Sequence, residues 1–104
     1  MHRGEVWWAE LPQPVGRRPV VLLSRDSAYK VRSSVTVGLV TRTVRSIPVE
    51  VPLGGEDGMP AECVANLDDI LTIPKKRLVE PITTLSNGKV SELNRAVRFA
   101  LDLD

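Results

Sequence analysis

The chain has 104 residues, one cysteine and one histidine, with a formal net charge of +1. That length limits it to a single compact domain, with no room for a separate dinucleotide-binding or lid domain. A lone cysteine excludes an internal disulfide and suits a reducing compartment.

In chain order, the start Met1-His2-Arg3-Gly4-Glu5 carries no apolar signal core. No apolar run is long enough to span a bilayer, so the expected location is the cytoplasm. The first strand is predicted at Glu5 to Leu11, through Val6, Trp7 and Trp8. Two prolines and a glycine make Pro12-Gln13-Pro14-Val15-Gly16 a loop. Arg18 to Ser24 follows, with the apolar body Pro19-Val20-Val21-Leu22-Leu23 of a strand buried on both faces. Ser24 to Lys30 is turn-like, with a short helix around Ala28. A third strand is predicted at Ser34 to Arg42, presenting Val35, Val37, Leu39 and Thr41 on one face, and a fourth at Ile47 to Leu53. Gly54-Gly55-Glu56-Asp57-Gly58 is a turn. Two further short strands are predicted at Glu62 to Leu67 and Asp69 to Ile73. Pro74 then opens a short helix through Leu78. Ser86 caps a terminal helix whose apolar face is Val90, Leu93, Val97 and Leu101, with Ala96 and Ala100 beside them. The expected fold class is mainly β with a C-terminal helix, a small, strongly bent antiparallel sheet.

Charge is unevenly distributed. From Arg17 to Arg45 there are seven basic residues and one acid, Asp26; from Ser46 to Pro74 there are six acids and no base. One anion-binding face would produce this pattern, and so would two solvated faces with no partner.

Most catalytic constellations are excluded. His2 and Cys63 together do not make a zinc site. Paired-histidine RNA chemistry needs a second imidazole, and a Ser or Cys triad needs a base better anchored than His2. Asp68 and Asp69, as neighbours on a strand, point to opposite faces and do not converge on a metal. Cys63 reads as a small core residue. Arginines and hydroxyls at strand ends remain. Arg18 sits between a loop and a buried strand, where its fixed guanidinium fork could grip a phosphate; a solvated gatekeeper would occupy the same position. Thr41 ends the third strand, and its hydroxyl could donate to a phosphoryl oxygen. Trp7 and Trp8 could stack bases or serve as core and dimer contacts.

Several segments, in order, resemble one family. Arg3-Gly4-Glu5-Val6-Trp7 resembles the opening of MazF/PemK-type toxins. Gly16-Arg17-Arg18-Pro19-Val20-Val21-Leu22-Leu23-Ser24 resembles their Gly-x-Arg-Pro strand ending in serine, and Val40-Thr41-Arg42-Thr43 stands at their third-strand threonine. Ile47 to Leu53, Leu67 to Ile73, Lys76-Arg77-Leu78 and the terminal helix are also similar. The resemblance implies a small SH3-like barrel of the MazF/CcdB type in a single domain over residues 1–104. It implies a homodimer that cleaves single-stranded RNA selectively, without a metal or other cofactor, to 2′,3′-cyclic phosphate and 5′-hydroxyl ends. The implied regulator is a cognate antitoxin whose disordered tail covers the RNA groove. Arg18 takes the place of the catalytic arginine and Thr41 of the catalytic threonine, with Arg17, Ser24, Arg42, Thr43 and Asp69 as RNA-binding positions.

Two departures stand out. The loop before Arg18 is shorter than in many relatives, and Asp69 replaces a glutamine, so it accepts but does not donate when ionised. The alternatives are a non-catalytic barrel that binds RNA or, like CcdB, gyrase. The chain ends Phe99-Ala100-Leu101-Asp102-Leu103-Asp104, without the terminal tryptophan of the gyrase poisons.

Overall fold

The computed structural model describes residues 1–104. Six antiparallel strands form one sheet in the order β4-β5-β3-β2-β1-β6. They are β1 (Glu5–Glu10), β2 (Arg17–Leu22), β3 (Ser34–Thr41), β4 (Glu50–Leu53), β5 (Cys63–Pro74) and β6 (Leu78–Thr84), with short α1 (Ala28–Val31) and terminal α2 (Asn87–Ala100). No helix is long and apolar enough to cross a membrane.

The sheet curls, because apolar residues line both of its faces. Val6, Val21, Val40, Val51, Leu53, Leu67, Leu93 and Ala96 belong to one core cluster. Val20, Leu22, Val35, Val37, Leu39 and Ile73 belong to the other. The run Val20-Val21-Leu22 therefore feeds both cores, as its lack of alternation suggests. The far edges of the sheet approach each other where Thr83 Oγ1 on β6 donates to Asp57 O, just beyond β4, at 2.9 Å. Gly58 makes this approach possible. Its φ is +89°, and a Cβ there would lie 2.4 Å from Thr83 Oγ1.

Three parts of the sequence-based prediction need correction. The two runs after Glu62 are one 12-residue strand, β5. Its pairing with β3 jumps from Asn66↔Leu39 to Ile70↔Gly38, which leaves Leu67-Asp68-Asp69 as a bulge. Asn66, the one buried polar residue, holds the bulge by accepting the Asp68 N–H at 2.9 Å. Second, β4 begins at Glu50 rather than Ile47, because the Glu50 carboxylate accepts the N–H groups of Arg45 and Ser46 and ties that stretch into a loop. Third, the sequence pattern marks no strand at Leu78–Thr84, where β6 forms. Pro81 argues against a strand, but β6 is an edge strand and its pairing with β1 is irregular beside Pro81, so the missing N–H is tolerated.

The terminal helix matches its sequence pattern at the start and departs from it at the end. Ser86 Oγ accepts the Lys89 N–H at 3.2 Å. Leu93 and Ala96 are buried, while Val90, Val97 and Ala100 are half-buried against the first core. Leu101 falls after the last helical turn and is 55% exposed.

Tyr29 on α1 is only 5% exposed, and its hydroxyl makes no hydrogen bond. Burial pushes its pKa up to about 12, with Asp26 adding to the rise and Arg3 opposing it. The folded pKa lies above the unfolded value of about 10. The protonated ring therefore adds stability that is complete below pH 10 and is lost as pH rises through 12. Tyr29→Phe is expected to leave stability near pH 7 within about 0.5 kcal/mol, since no hydrogen bond is broken. It should also remove most of the alkaline loss between pH 10 and 12. Urea melts of both proteins at pH 7 and pH 11 check this.

Candidate active site

β2 and β3 pair with Val20 opposite Leu39 and Leu22 opposite Val37. Arg18 lies two residues before that ladder on β2 and Thr41 two residues after it on β3, so both stand at the same end of the two strands, although they are 23 positions apart in sequence. Both line a cavity of about 710 Å³ with Trp8, Arg17, Arg42, Thr43, Met59 and Cys63. No carboxylate or imidazole lines it, so its fixed charge is entirely cationic. No group of three or more His, Cys, Asp or Glu side chains gathers anywhere in the fold.

The three arginines of the pocket differ in how they are held. Arg17 stands directly opposite Glu10 and pairs with it at 3.4 Å and with Glu80 at 2.8 Å. Its guanidinium lies 5.0 Å from the centre of the Trp8 ring. Arg17 is therefore already committed to protein partners. Arg18 is half-buried and Arg42 exposed; neither makes a side-chain hydrogen bond or salt bridge. A half-buried guanidinium with no protein acceptor retains all five N–H donors for an anion. Thr41 Oγ1 accepts the Thr43 N–H at 3.2 Å. One lone pair is thereby used and the hydroxyl is oriented, leaving its O–H free to donate into the pocket.

Of the residues singled out from sequence, Arg17, Arg18, Thr41, Arg42 and Thr43 meet in this pocket. Ser24 and Asp69 do not. Ser24 lies beyond the opposite end of β2 from Arg18 and accepts the Thr36 N–H at 2.8 Å, extending the β2–β3 ladder. Asp69 is exposed on the β5 bulge. Met59, Pro60 and Ala61 supply an apolar wall that no sequence signal marked, because the segment between Gly58 and Cys63 has neither periodicity nor a motif. Trp7 and Trp8 divide as alternation requires. Trp7 packs on the second core, and Trp8 lines the pocket.

Cys63 lies at the pocket floor and is buried. Burial pushes its thiol pKa up, Glu62 and Asp57 add to this, and Arg42 opposes it. The thiolate is thus disfavoured at neutral pH, the reverse of an activated nucleophile. Cys63→Ala is expected to retain the activity of the pocket within about threefold while costing about 1 kcal/mol of stability. A rate assay beside a thermal melt separates the two effects, and loss of turnover with stability intact would overturn this assignment.

Comparison with known proteins agrees with this geometry. Residues 2–101 match the family described as PemK-like, MazF-like toxin of type II toxin-antitoxin system. The chain is 37% identical over 101 residues to a probable endoribonuclease, MazF5, of Mycobacterium tuberculosis, covering 96% of this chain and 92% of that protein. Among solved structures, the M. tuberculosis toxin MazF-mt6 superposes with a TM-score of 0.89 at 32% identity, covering 96% of this chain and 98% of that one. A mycobacterial endoribonuclease in complex with its cognate antitoxin superposes with a TM-score of 0.90 at 27% identity, over 100% of this chain and 97% of that one. The match spans the whole fold, including β2 and β3 that carry Arg18 and Thr41, and the chain therefore belongs to the PemK-like, MazF-like toxin family of type II toxin-antitoxin systems.

Proposed function

We propose that the pocket is where this endoribonuclease toxin cuts single-stranded RNA, with Arg18 and Thr41 as its catalytic residues. The observation that carries the reading is an unpaired, half-buried Arg18 that lines one pocket with Thr41, whose hydroxyl accepts the Thr43 N–H and keeps its own O–H to donate.

In the reaction, the 2′-oxygen of one nucleotide attacks its own 3′-phosphorus. The bond to the 5′-oxygen of the next nucleotide breaks. The 2′-hydroxyl proton leaves and the departing 5′-oxygen gains one, giving a 2′,3′-cyclic phosphate and a 5′-hydroxyl. Negative charge concentrates on the non-bridging oxygens as the transition state forms. Arg18 meets that charge with two parallel N–H donors, and Thr41 donates to the same phosphoryl group and fixes its orientation. Guanidinium stays protonated at neutral pH, so Arg18 acts through its charge and hydrogen bonds. The donors supplied by the protein make the step independent of a metal ion. Arg42 and Thr43 hold the flanking phosphates, and Arg17, held by Glu10 and Glu80, lines the RNA path beside Trp8. Ser24 and Asp69 contact only an RNA long enough to run out of the pocket along the sheet.

The toxin acts in the cytoplasm, and its working form is a homodimer. Exposed Val44, Ile47, Phe99, Leu101 and Leu103 provide apolar surface for association. A cognate antitoxin inhibits it by laying an acidic segment across the cationic pocket, in competition with RNA.

A substrate with one 2′-deoxyribose 5′ of the cut tests the chemistry, because it lacks the attacking oxygen. Binding is expected to persist and cleavage at that position to stop. Cleavage of the deoxy substrate at an unchanged rate would mean that water, not the 2′-oxygen, is the nucleophile. Thr41→Val, which keeps the β-branched shape and removes the O–H, is expected to slow kcat by about 10- to 100-fold with little change in KM. Single-turnover kinetics check this.

A further inference from the structure

A second cationic surface lies far from the Arg18 pocket. Between the end of α1 and the start of β3, and against the turn after β5, Lys30, Arg32, Lys75 and Lys76 line an open groove of about 750 Å³. No acidic residue lines it, and none of the four makes a salt bridge. Asp26, which lines the adjoining pocket with Lys30 and Lys75, is engaged elsewhere: it accepts the Arg3 backbone N–H and faces His2, and Glu80, four residues after Lys76, pairs with Arg17. Lys75 Nζ donates to the Tyr29 carbonyl, which anchors it at the groove floor. Lys30, Arg32 and Lys76 are exposed and hold no protein acceptor.

Concentrated like charge without counter-charges raises the free energy of the folded state and creates a local positive potential. A solvated surface has no need of such an arrangement, because Lys and Arg intermixed with acids are equally soluble. Two further observations bear on its role. The groove opens beside Ser34 at one end of β3, while Thr41 stands at the other end, seven residues and so about 23 Å away at the strand rise. That nearly spans a molecule whose longest extent is 32 Å. The groove therefore cannot touch the phosphate being cut, but the same RNA strand can reach it several nucleotides away. Neither groove wall is aromatic, so it offers phosphate contacts and no stacking platform, which makes it indifferent to base identity.

We propose that the groove of Lys30, Arg32, Lys75 and Lys76 is a second phosphate-binding site. It holds the backbone of a long single-stranded RNA remote from the cut and selects substrates by length rather than by sequence. This rests on the reading of the Arg18 pocket as the cleavage site.

The test compares wild type with a Lys30→Ala, Arg32→Ala, Lys76→Ala variant. Lys75 is left in place because it anchors the Tyr29 carbonyl. Binding is read by anisotropy on a long unstructured RNA in chelator at several salt concentrations, using proteins that also carry Arg18→Ala so that the RNA stays whole. Removing three phosphate contacts on a single strand is expected to flatten the slope of log K against log salt by about 2. In the Arg18 background, KM for the long RNA cannot be read, so the triple variant is also made alone. There KM should rise for the long RNA, with kcat unchanged and with both parameters unchanged for an oligonucleotide that covers only the Arg18 pocket. The melting temperature should hold or rise as like-charge repulsion is relieved.

An unchanged salt slope and unchanged KM for long RNA would overturn the proposal. So would loss of affinity for an acidic peptide with RNA binding intact, which would assign the groove to a protein partner. If the triple substitution flattens the slope but wild type cuts no RNA, the cleavage reading fails while the groove stands.

Discussion

Arg18→Ala is expected to lower the single-turnover cleavage rate by about 10²- to 10³-fold, a loss of about 3–4 kcal/mol of transition-state stabilisation. The size follows from the position of the guanidinium. Arg18 has no hydrogen-bond acceptor in the protein, lies half-buried at the pocket, and can give its donors fully to the phosphoryl oxygens. Arg17 cannot substitute, because Glu10, Glu80 and the Trp8 ring already engage it. Arg42 is exposed, where solvent screens its charge. Arg42→Ala is therefore expected to change KM more than kcat. Arg18→Lys keeps the charge and loses the planar fork, so its rate should fall between wild type and Arg18→Ala. Folding should be spared in all three variants, since none of the lost groups closes a protein contact. A melt within about 0.5 kcal/mol of wild type is the accompanying check.

The largest loss of stability is expected at Leu93. It is 0% exposed and, with Ala96, carries α2 into the first core, whose members include Val51, Leu53 and Ala65. Truncation to alanine removes buried apolar area and leaves a cavity that the curled sheet cannot fill by moving one strand, because β4 and β5 are hydrogen-bonded from Glu50↔Asn66 to Leu53↔Cys63. The expected cost is about 2–5 kcal/mol. That is a large share of the 5–15 kcal/mol typical of a domain this size and would lower Tm by roughly 10–25 °C. Arg95→Ala on the same helix is the contrast. Arg95 is exposed and makes no side-chain hydrogen bond or salt bridge, so its loss should move Tm by no more than about 3 °C. Equal effects at the two positions would mean that the loss at Leu93 does not come from burial.

The legible parts of the fold were those in which local chemistry and tertiary context agree. Val20-Val21-Leu22 reads as a strand buried on both faces because both faces are buried. Ser86 reads as a cap because its hydroxyl accepts the Lys89 N–H. The illegible parts were those in which tertiary contacts overrule local signals. Pro81 is a strand breaker everywhere but at an edge, and only the sheet order reveals that β6 is the edge. The Leu67–Asp69 bulge depends on Asn66 turning back to Asp68, which periodicity does not register. The site divides in the same way. Arg18 and Thr41 were legible as chemistry and by resemblance, but what joins them is the register of β2 against β3, a pairing between residues far apart in sequence. Met59, Pro60 and Ala61 enter the pocket only because the chain after β4 folds over it, and their residue types announce nothing. Ser24 was marked by resemblance to the family's strand-ending serine; its hydroxyl accepts the Thr36 N–H outside the pocket, a contact that only the fold reveals.

The most direct test of the account is cleavage of a long single-stranded RNA in excess chelator, with every new end mapped and its chemistry identified, for wild type and Arg18→Ala side by side. The expected result is cuts at a small set of sequences, with 5′-hydroxyl and 2′,3′-cyclic phosphate ends, that are lost with Arg18. Cleavage that requires an added divalent ion, or that continues at the wild-type rate without the Arg18 guanidinium, would contradict the assignment of catalysis to this pocket.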